Sequence, residues 1–241
     1  PIPLEQKHPL LKKLLSGLFP RWEPLIQKEL SYFAGLKPGT VLDVGCGAGN
    51  FLRRAVGAGW KAVGIDFDAK AIAVAARVQG AEAYRMDLFD ASLDGRRFDG
   101  ILLDNVIEHL LETPRIMGRC AELLRPGGRL VMITPNARSI AHETFGADWR
   151  GLETPRHLQI FTAAALGRVA REQGFPKPLL FTMRGGYYFR WMAQVSTEIA
   201  RQRGHEPPPH DLDALERVHE RRWWTPEARG EFLVLVAHKP G

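Results

Sequence analysis

The stretch Val41-Leu-Asp-Val-Gly-Cys-Gly-Ala-Gly49 decides the fold of this chain. A short apolar run at 40–44 is typical of a buried parallel strand, and residues 51–56 fit the first turns of a helix. Between them lie three glycines at alternate positions: Gly45, Gly47 and Gly49. Glycines at this density mark backbone that turns sharply or touches a ligand. A strand, a glycine loop and a helix in this order aim backbone N–H groups at a polar cofactor.

The spacing of glycines and acids favours a nucleoside that carries an amino acid over a dinucleotide. Dinucleotide loops follow Gly-x-Gly-x-x-Gly, whereas Asn50 occupies the place of the third glycine here. Asp43 lies just before the loop, where it can fix a cationic amine. Asp66 ends the next apolar run, at the sequence distance from the loop that suits binding of a ribose diol. Asp87 ends the run after that, where it can accept from an exocyclic amine. No phosphate needs to be neutralised in this pattern.

Alternating strands and helices predict an α/β fold with a doubly wound, Rossmann-like sheet of seven strands. The predicted strands are 40–44, 61–66, 82–86, 98–104, 129–135, 178–183 and 231–238. The predicted helices are 4–18, 22–34, 49–58, 68–79, one from about 114 with Thr113 as its N-cap, and one from the Thr162 cap to Gly174. A turn is predicted at Pro126-Gly-Gly128. We expect a single domain: a helical cap at 1–36, a cofactor-binding core at 37–186, a helical insert at 187–229 and the last strand at 230–241.

The insert at 187–229 is longer than a hairpin needs. Its first helix carries an apolar stripe formed by Tyr188, Met192, Val195 and Ile199. It also carries four aromatic residues, which are Tyr187, Tyr188, Phe189 and Trp191. Pro207-Pro-Pro209 breaks this helix, and a second helix is predicted from Asp211 to about Arg222, before Trp223-Trp224. Two interpretations stay open: helices that pack on the domain, or a lid over an apolar substrate that can also touch a membrane surface.

Composition and charge are those of a globular protein. The 241 residues, 45% of them hydrophobic, suffice for one α/β domain. No apolar run approaches the ~20 residues of a membrane span, and no signal-peptide pattern opens the chain. Two cysteines far apart, Cys46 and Cys120, predict a reducing, cytoplasmic setting. The net charge of +6 comes mostly from scattered arginines, which predicts a solvated surface and leaves a nucleic-acid partner open without favouring it.

Five motifs in order carry a resemblance to a known family, at 41–49, 63–68, 83–87, 98–109 and 124–135. From about residue 37 to 175 the chain resembles the class I S-adenosylmethionine-dependent methyltransferases. Within them it is similar to the branch that contains ubiquinone O-methyltransferases and sugar or polyketide methyltransferases. The resemblance implies that the last strand runs antiparallel to the others and that S-adenosylmethionine is the cofactor, with S-adenosylhomocysteine as the product.

The same resemblance assigns the cofactor-binding residues. Those at the methionine end are Asp43, Gly45, Gly47 and Gly49, with Cys46 in the same loop. Asp66 would bind the ribose, and Phe67 would flank the adenine. Asp87 and Leu88 would lie near the adenine amine, and Asn105 near the methionine carboxyl or the sulfonium.

A first group of catalytic candidates follows the strand at 98–104. Asn105, Glu108 and His109 share one face of a helical turn, which suits cofactor contact together with a general base; alternatively, Glu108 and His109 cap the next helix. In ubiquinone-type relatives a Glu-x-x-Glu-His pattern at this place holds a divalent metal. Because Asn105 replaces the first glutamate of that pattern, we predict no metal.

A second group follows the strand at 129–135. Trp149 would offer the acceptor an apolar wall, and Arg150 or Arg156 would hold a carboxylate or phosphate. His157 is the preferred general base, because its pKa lies naturally near neutrality, and His109 is the second choice. His142 and Glu143 rank lower. The alternative is a packed loop with a hydrogen-bonded histidine.

These observations favour methyl transfer to a small-molecule acceptor. The chain has no Asn/Asp-Pro-Pro-Tyr/Phe motif for amino groups after the fourth strand, so we expect an oxygen, in a hydroxyl or carboxyl, as the acceptor atom. Two alternatives stay open. One is a tRNA-modifying methyltransferase that uses the basic surface, and the other is a non-catalytic S-adenosylmethionine-binding regulator or partner subunit.

Overall fold

The computed structural model describes residues 28–183, 186–209, 211 and 229–241, with the backbone alone at 28 and 186–188. The chain divides into two units, 1–37 and 38–241. In the first, helix α1 (Lys28–Ser31) lies inside the predicted helix 22–34. The predicted helix 4–18 lies outside the described residues. None of the described helices is long and apolar enough to cross a membrane.

The second unit is built on a seven-stranded sheet with the order β3-β2-β1-β4-β5-β7-β6. Its strands are β1 (Thr40–Val44), β2 (Lys61–Asp66), β3 (Ala81–Arg85), β4 (Phe98–Asp104), β5 (Leu124–Pro135), β6 (Leu179–Thr182) and β7 (Phe232–His238). The pairs from β3 to β5 are parallel, and β7 is antiparallel to both of its neighbours. This confirms the predicted doubly wound sheet with an antiparallel last strand.

Six helices accompany the sheet in the described part of the second unit: α2 (Asn50–Gly57), α3 (Ala69–Ala75), α4 (Thr113–Leu123), α5 (Ile140–Phe145), α6 (Ala163–Glu172) and α7 (Gly186–Gln202). Thr162 caps α6, since its hydroxyl accepts from the Ala165 N–H, and Gly174 follows the helix at φ 90°. The prediction for this helix is confirmed. The helix predicted at 68–79 is shorter in the structure, where α3 ends at Ala75.

Two local predictions are wrong. Thr113 is the first residue of α4 and not its N-cap, which is Glu112. The turn predicted at 126–128 lies within β5, where the register with β4 shifts between Phe98 and Gly100. The backbone stays in the sheet there because Lys239 bonds it on the other side: the Gly127 N–H donates to the Lys239 carbonyl, and the Lys239 N–H donates to Gly128.

The central strands are buried on both faces, which explains why they read as continuous apolar runs. Leu42 on β1, Ile101 on β4 and Leu130 on β5 are fully buried in one cluster. The strand order reverses between β1 and β4, and the crevice beyond the carboxyl ends of strands at such a reversal is where open α/β sheets bind ligands. The glycine loop after β1 and the loops after β4 and β5 all lie at this edge.

The insert is partly described. Its first helix, α7, buries Phe189, Met192 and Ser196, while Trp191 is 39% exposed. Phe189 therefore packs in the interior and does not face a substrate. The side chains of Tyr187 and Tyr188, the predicted second helix and Trp223-Trp224 lie outside the described residues, so the lid stays a prediction.

Candidate active site

The glycine loop after β1 has the backbone that its sequence predicts. Gly45, Gly47 and Gly49 have φ angles of 72°, 51° and 77°, in the left-handed region that glycine adopts without strain. A Cβ on Gly45 would lie 2.5 Å from Cγ2 of Val106. The bare glycine thus lets the end of β1 approach the loop after β4. This contact joins the two loops that would hold the donor and the acceptor.

Asp66 holds the glycine loop against the end of β2. Its Oδ2 accepts from the Gly47 N–H at 2.9 Å, and its Oδ1 accepts from the Asp68 N–H at 2.9 Å. Each carboxylate oxygen has a further lone pair, so the group can accept two hydroxyls of a ribose while keeping both bonds. Its position at the carboxyl end of β2 agrees with the predicted ribose contact.

Asp43, just before the glycine loop, and Cys46, within it, are both buried. Asp43, on β1, is 4% exposed. The Cys46 sulfur packs where Gly64 has no side chain, since a Cβ there would lie 2.7 Å from Sγ. Burial, reinforced by Asp43 and Asp66, raises the pKa of the Cys46 thiol to about 12. The thiol therefore stays protonated and contributes its small volume rather than a nucleophile.

The residues predicted around the adenine differ in accessibility. Phe67, directly after β2, is 84% exposed, so its ring is accessible to a flat ligand. Oδ1 of Asp87 accepts from the Phe89 N–H at 2.6 Å. The Leu88 side chain is buried in the core, so its backbone is the part that can face a ligand.

On the other side of the crevice, Asn105 begins the loop after β4. It has φ 54°, a conformation that asparagine tolerates better than most residues. Its backbone N–H donates to Ile133 at 2.9 Å, and its side-chain amide donates to Asp104 at 2.7 Å. The strained turn places this exposed amide at the carboxyl end of β4, as predicted for a cofactor contact.

Glu108 is fully buried at the base of this loop, in a short 3-10 helix at Ile107–His109. Its Oε2 accepts from the Thr134 hydroxyl at 3.0 Å, whereas its Oε1 has no partner among the described residues. Burial raises the pKa of the Glu108 carboxyl to about 7. A buried carboxyl with one unsatisfied oxygen is costly for stability and suits a site that receives a proton or a ligand.

The two predicted histidines meet above Glu108. The rings of His109 and His157 pack edge to face, with their centroids 4.7 Å apart. Nδ1 of His109 lies 2.9 Å from the Arg156 carbonyl oxygen, and Nδ1 of His157 lies 2.6 Å from that of Gly151. Since a carbonyl oxygen only accepts, both rings carry their proton on Nδ1. In the neutral form Nε2 of each ring carries a lone pair, and that of His157 lies 3.3 Å from Oε2 of Glu153.

The structure thus brings together the three predicted catalytic residues. Glu108, His109 and His157 each offer one ligand atom, and these atoms all lie within 4.8 Å of one another. The backbone links their loops, because the carbonyl of Glu108 accepts from the Leu158 N–H at 2.8 Å and from the Gln159 N–H at 3.2 Å. The geometry fits either a proton acceptor or a metal ligand set.

The predicted acceptor-binding residues are placed differently from expectation. Trp149 is 1% exposed, stacks on His142 and donates from Nε1 to Glu231 at 3.3 Å. It supports the loop from within instead of forming an open wall. Arg150 and Arg156 both pair with Glu153, at 2.6 and 2.5 Å.

Glu153 was missed by sequence reasoning. Its Oε2 also lies 3.3 Å from Nε2 of His157, so this side chain links the histidine to both arginines. The signal in the sequence was the spacing: Arg150 and Arg156 lie three residues on either side of Glu153, and His157 lies four residues after it. In a tight turn all three side chains can reach one carboxylate.

The loop that carries Glu153 and helix α7 border a cavity of about 430 Å³. It is lined by Arg150, Leu152, Arg156, Val195, Ile199 and Arg203, among others.

His142 and Glu143 do not join the cluster. His142 stacks on Trp149, and its Nδ1 lies 2.8 Å from the Ala137 carbonyl oxygen. Glu143 pairs with Arg229. Their low rank among the candidates agrees with these positions.

Comparisons with known proteins identify the family. Residues 16–177 match the family model described as a methyltransferase domain. The chain is 34% identical over 129 residues to a ubiquinone biosynthesis O-methyltransferase of Bradyrhizobium sp. (strain ORS 278), covering 51% of this chain and 49% of that one. It is 32% identical over 169 residues to the protein of that name in Rhodopseudomonas palustris (strain BisB5), covering 61% and 63%. The chain thus spans about half to two thirds of the length of these relatives.

The fold agrees with this assignment. A SAM-dependent methyltransferase from Archaeoglobus fulgidus superposes with a TM-score of 0.59 at 18% identity, over 95% of this chain and 99% of that one. Because the family model covers more than half of the chain, the chain belongs to the methyltransferase-domain family, with S-adenosylmethionine as its methyl donor.

Proposed function

We propose that this chain transfers the methyl group of S-adenosylmethionine to an oxygen of a small-molecule acceptor. The observation that carries the proposal is the convergence of Glu108, His109 and His157, which come from the loops after β4 and β5. Val106, two residues before Glu108, contacts the space left by Gly45. A hydroxyl placed over the cluster would therefore lie close to a methionine chain in the glycine loop.

The reaction asks the protein for alignment and removal of one proton, because the sulfonium already activates the methyl group. The acceptor oxygen forms a bond to the methyl carbon as the carbon–sulfur bond breaks, and the hydroxyl proton passes to the cluster. Burial lowers the pKa of His157, so Nε2 is unprotonated at neutral pH and ready to accept it. Glu153, 3.3 Å from that nitrogen, would stabilise the resulting imidazolium.

An apolar rim beside the cluster supports an aromatic acceptor. Leu111 is 72% exposed and Leu158 51% exposed, and both adjoin the loops that hold the histidines. The names of the curated relatives point to the same class, since they act in ubiquinone biosynthesis as O-methyltransferases. We therefore propose a hydroxylated aromatic ring, such as a phenol or catechol, as the acceptor.

The alternatives receive less support from the described residues. Many arginines of the basic surface are paired with acids, among them Arg96 with Glu82, Arg119 with Asp94 and Arg125 with Asp99. Such pairing weakens the case for a continuous positive band that would bind tRNA. A non-catalytic regulator has no need of three converging proton acceptors.

The test is a panel of matched acceptors in which a hydroxyl and an amine occupy the same ring position. S-adenosylhomocysteine release is measured for each, and mass spectrometry locates the methyl group. We expect turnover with hydroxyl members and a methoxy product. Methylation of the amines alone, or of a tRNA in place of every small acceptor, would contradict the proposal.

A further inference from the structure

A buried carboxyl that the proposed reaction does not use lies directly before β7. Glu231 is 1% exposed. Its Oε1 accepts from the Ala141 N–H at 3.2 Å, and its Oε2 accepts from Nε1 of Trp149 at 3.3 Å. Taking a carboxyl out of water is costly unless its oxygens gain such partners. The second bond joins the beginning of β7 to the loop after β5, across 82 positions of the chain.

The backbone that carries this carboxyl is tied to the sheet. The Glu231 carbonyl accepts from the Asn136 N–H at 2.9 Å, and the Gly230 carbonyl accepts from the Asn136 side-chain amide at 2.8 Å. Asn136 directly follows β5. Because both ends of the contact belong to neighbouring strands, the carboxyl is a fixed point that orients the indole.

The indole of Trp149 in turn packs against the backbone of Gly151. A Cβ on Gly151 would clash with the six-membered ring of the indole, so this ring lies directly on the bare glycine. Both residues are buried, and the short 3-10 helix at Arg150–Leu152 begins directly after Trp149. The position of the indole therefore determines where the Gly151 peptide lies.

Gly151 is the residue that orients His157. Its carbonyl oxygen lies 2.6 Å from Nδ1 of His157, so the ring carries its proton on that nitrogen. The partner of one ring nitrogen decides the state of the other, and Nε2 of His157 is left to accept. A displacement of the Gly151 carbonyl would therefore move Nε2 or change its protonation.

We propose that Glu231 and Trp149 are positioning residues for His157. Glu231 fixes the indole, the indole fixes the Gly151 peptide, and the Gly151 carbonyl fixes the imidazole. The consequence for methyl transfer rests on the proposed function, in which Nε2 of His157 accepts the proton of the acceptor. The orientation of the ring does not depend on that function.

The test observes the His157 ring by NMR in the full chain with ¹⁵N-labelled histidine. Long-range ¹H–¹⁵N spectra distinguish a proton on Nδ1 from one on Nε2. His157→Ala identifies the signals of this ring, and His205→Ala, which removes a histidine that pairs with Asp148, should leave them in place. We expect the wild type to carry the proton on Nδ1 alone. In Trp149→Ala the Gly151 carbonyl is released, so we expect both tautomers.

The second readout is steady-state kinetics with a hydroxylated acceptor. Because a misplacement of about 1 Å can lower a rate by about 10²-fold, we expect Trp149→Ala to lower kcat by about 10- to 10²-fold. Trp149→Phe and Glu231→Gln should each cause a smaller loss. The first keeps a ring beside Gly151, and the second keeps one acceptor oxygen for two donors. KM for S-adenosylmethionine should not change.

A double variant tests whether Glu231 acts through the indole. If it does, Trp149→Phe combined with Glu231→Gln should lower kcat about as much as the more harmful single change. Losses that multiply would show that the two residues act independently and would overturn the inference.

The matched control is Trp60→Ala, which removes another buried indole, directly before β2. It should keep the Nδ1 tautomer of His157 and the wild-type kcat, and circular dichroism verifies that each variant folds. Should Trp149→Ala not fold, Trp149→Phe and Glu231→Gln carry both readouts. Unchanged His157 signals in the Trp149 and Glu231 variants, the same change in Trp60→Ala, or a changed tautomer with wild-type kcat would overturn the inference. The expected tautomers in a chain that methylates no hydroxyl would contradict the proposed function alone.

Discussion

The proposed donor side of the crevice, with the glycine loop and Asp66, and the proposed acceptor side, with Glu108, His109 and His157, are built in different ways. On the donor side, Asp66 bonds Gly47 across 19 positions, and the contacts follow directly from a glycine loop joined to two neighbouring strands. On the acceptor side, His109 meets Arg156 across 47 positions, and the cluster depends on how two long loops fold against each other. The contacts of the donor side are thus set by neighbouring elements of the sequence, whereas those of the acceptor side are set by tertiary packing.

The largest effect should follow from His157→Ala on the acceptor side. In the proposed reaction its imidazole takes the proton of the acceptor hydroxyl, so its loss should lower kcat by about 10²-fold or more. S-adenosylmethionine affinity should stay the same. Steady-state kinetics with a hydroxylated acceptor measure the first quantity and calorimetry the second, with His205→Ala as the control. Unchanged kcat would remove His157 from the site.

Buried carboxyls on the acceptor side should make stability depend on pH. Burial raises the pKa of Glu231 from 4.5 to about 7, so its proton is held in the folded state and released in the unfolded state between these values. The folded state therefore loses about 3 kcal/mol of stability through Glu231 as pH rises through this window. Glu231→Gln should remove this part of the slope and leave the part due to Glu108, whose pKa burial also raises to about 7. Urea unfolding at pH 5 and pH 8 tests it, and parallel losses in wild type and variant would contradict it.

The contact between the two sides can be broken at Gly45. In Gly45→Ala a Cβ would meet Val106 at 2.5 Å on a backbone with φ 72°, so we expect about 2–3 kcal/mol lost from the free energy of unfolding, and weaker cofactor binding. Gly95→Ala is the matched control, since Gly95 has φ 78° and open space around it. It should cost only the backbone strain, about 1 kcal/mol. If Gly45→Ala and Gly95→Ala lose the same free energy of unfolding in urea, the contact with Val106 does not contribute to the loss.

The features that could be predicted from the sequence lie mainly on the donor side. The bounds of β1, β2 and β4 and the position of Asp66 were predicted correctly, because apolar runs, turn glycines and terminal acids are local signals. The three candidate residues Glu108, His109 and His157 were predicted individually, but their convergence was not, since nothing local in the sequence brings His157 to Glu108. The burial of Trp149 and the role of Glu153 were missed because both depend on partners in other elements, Glu231 for one and His157 for the other.

The most direct test of this division is the affinity for S-adenosylmethionine of two variants measured side by side by calorimetry. Asp66→Ala removes the carboxylate that we expect to accept from the ribose hydroxyls, and it should weaken binding by about 1–3 kcal/mol, roughly 5- to 150-fold in Kd. His157→Ala should bind the cofactor as the wild type does. Equal affinity in Asp66→Ala and wild type, or a loss in His157→Ala as large as in Asp66→Ala, would contradict the separation of a donor side from an acceptor side.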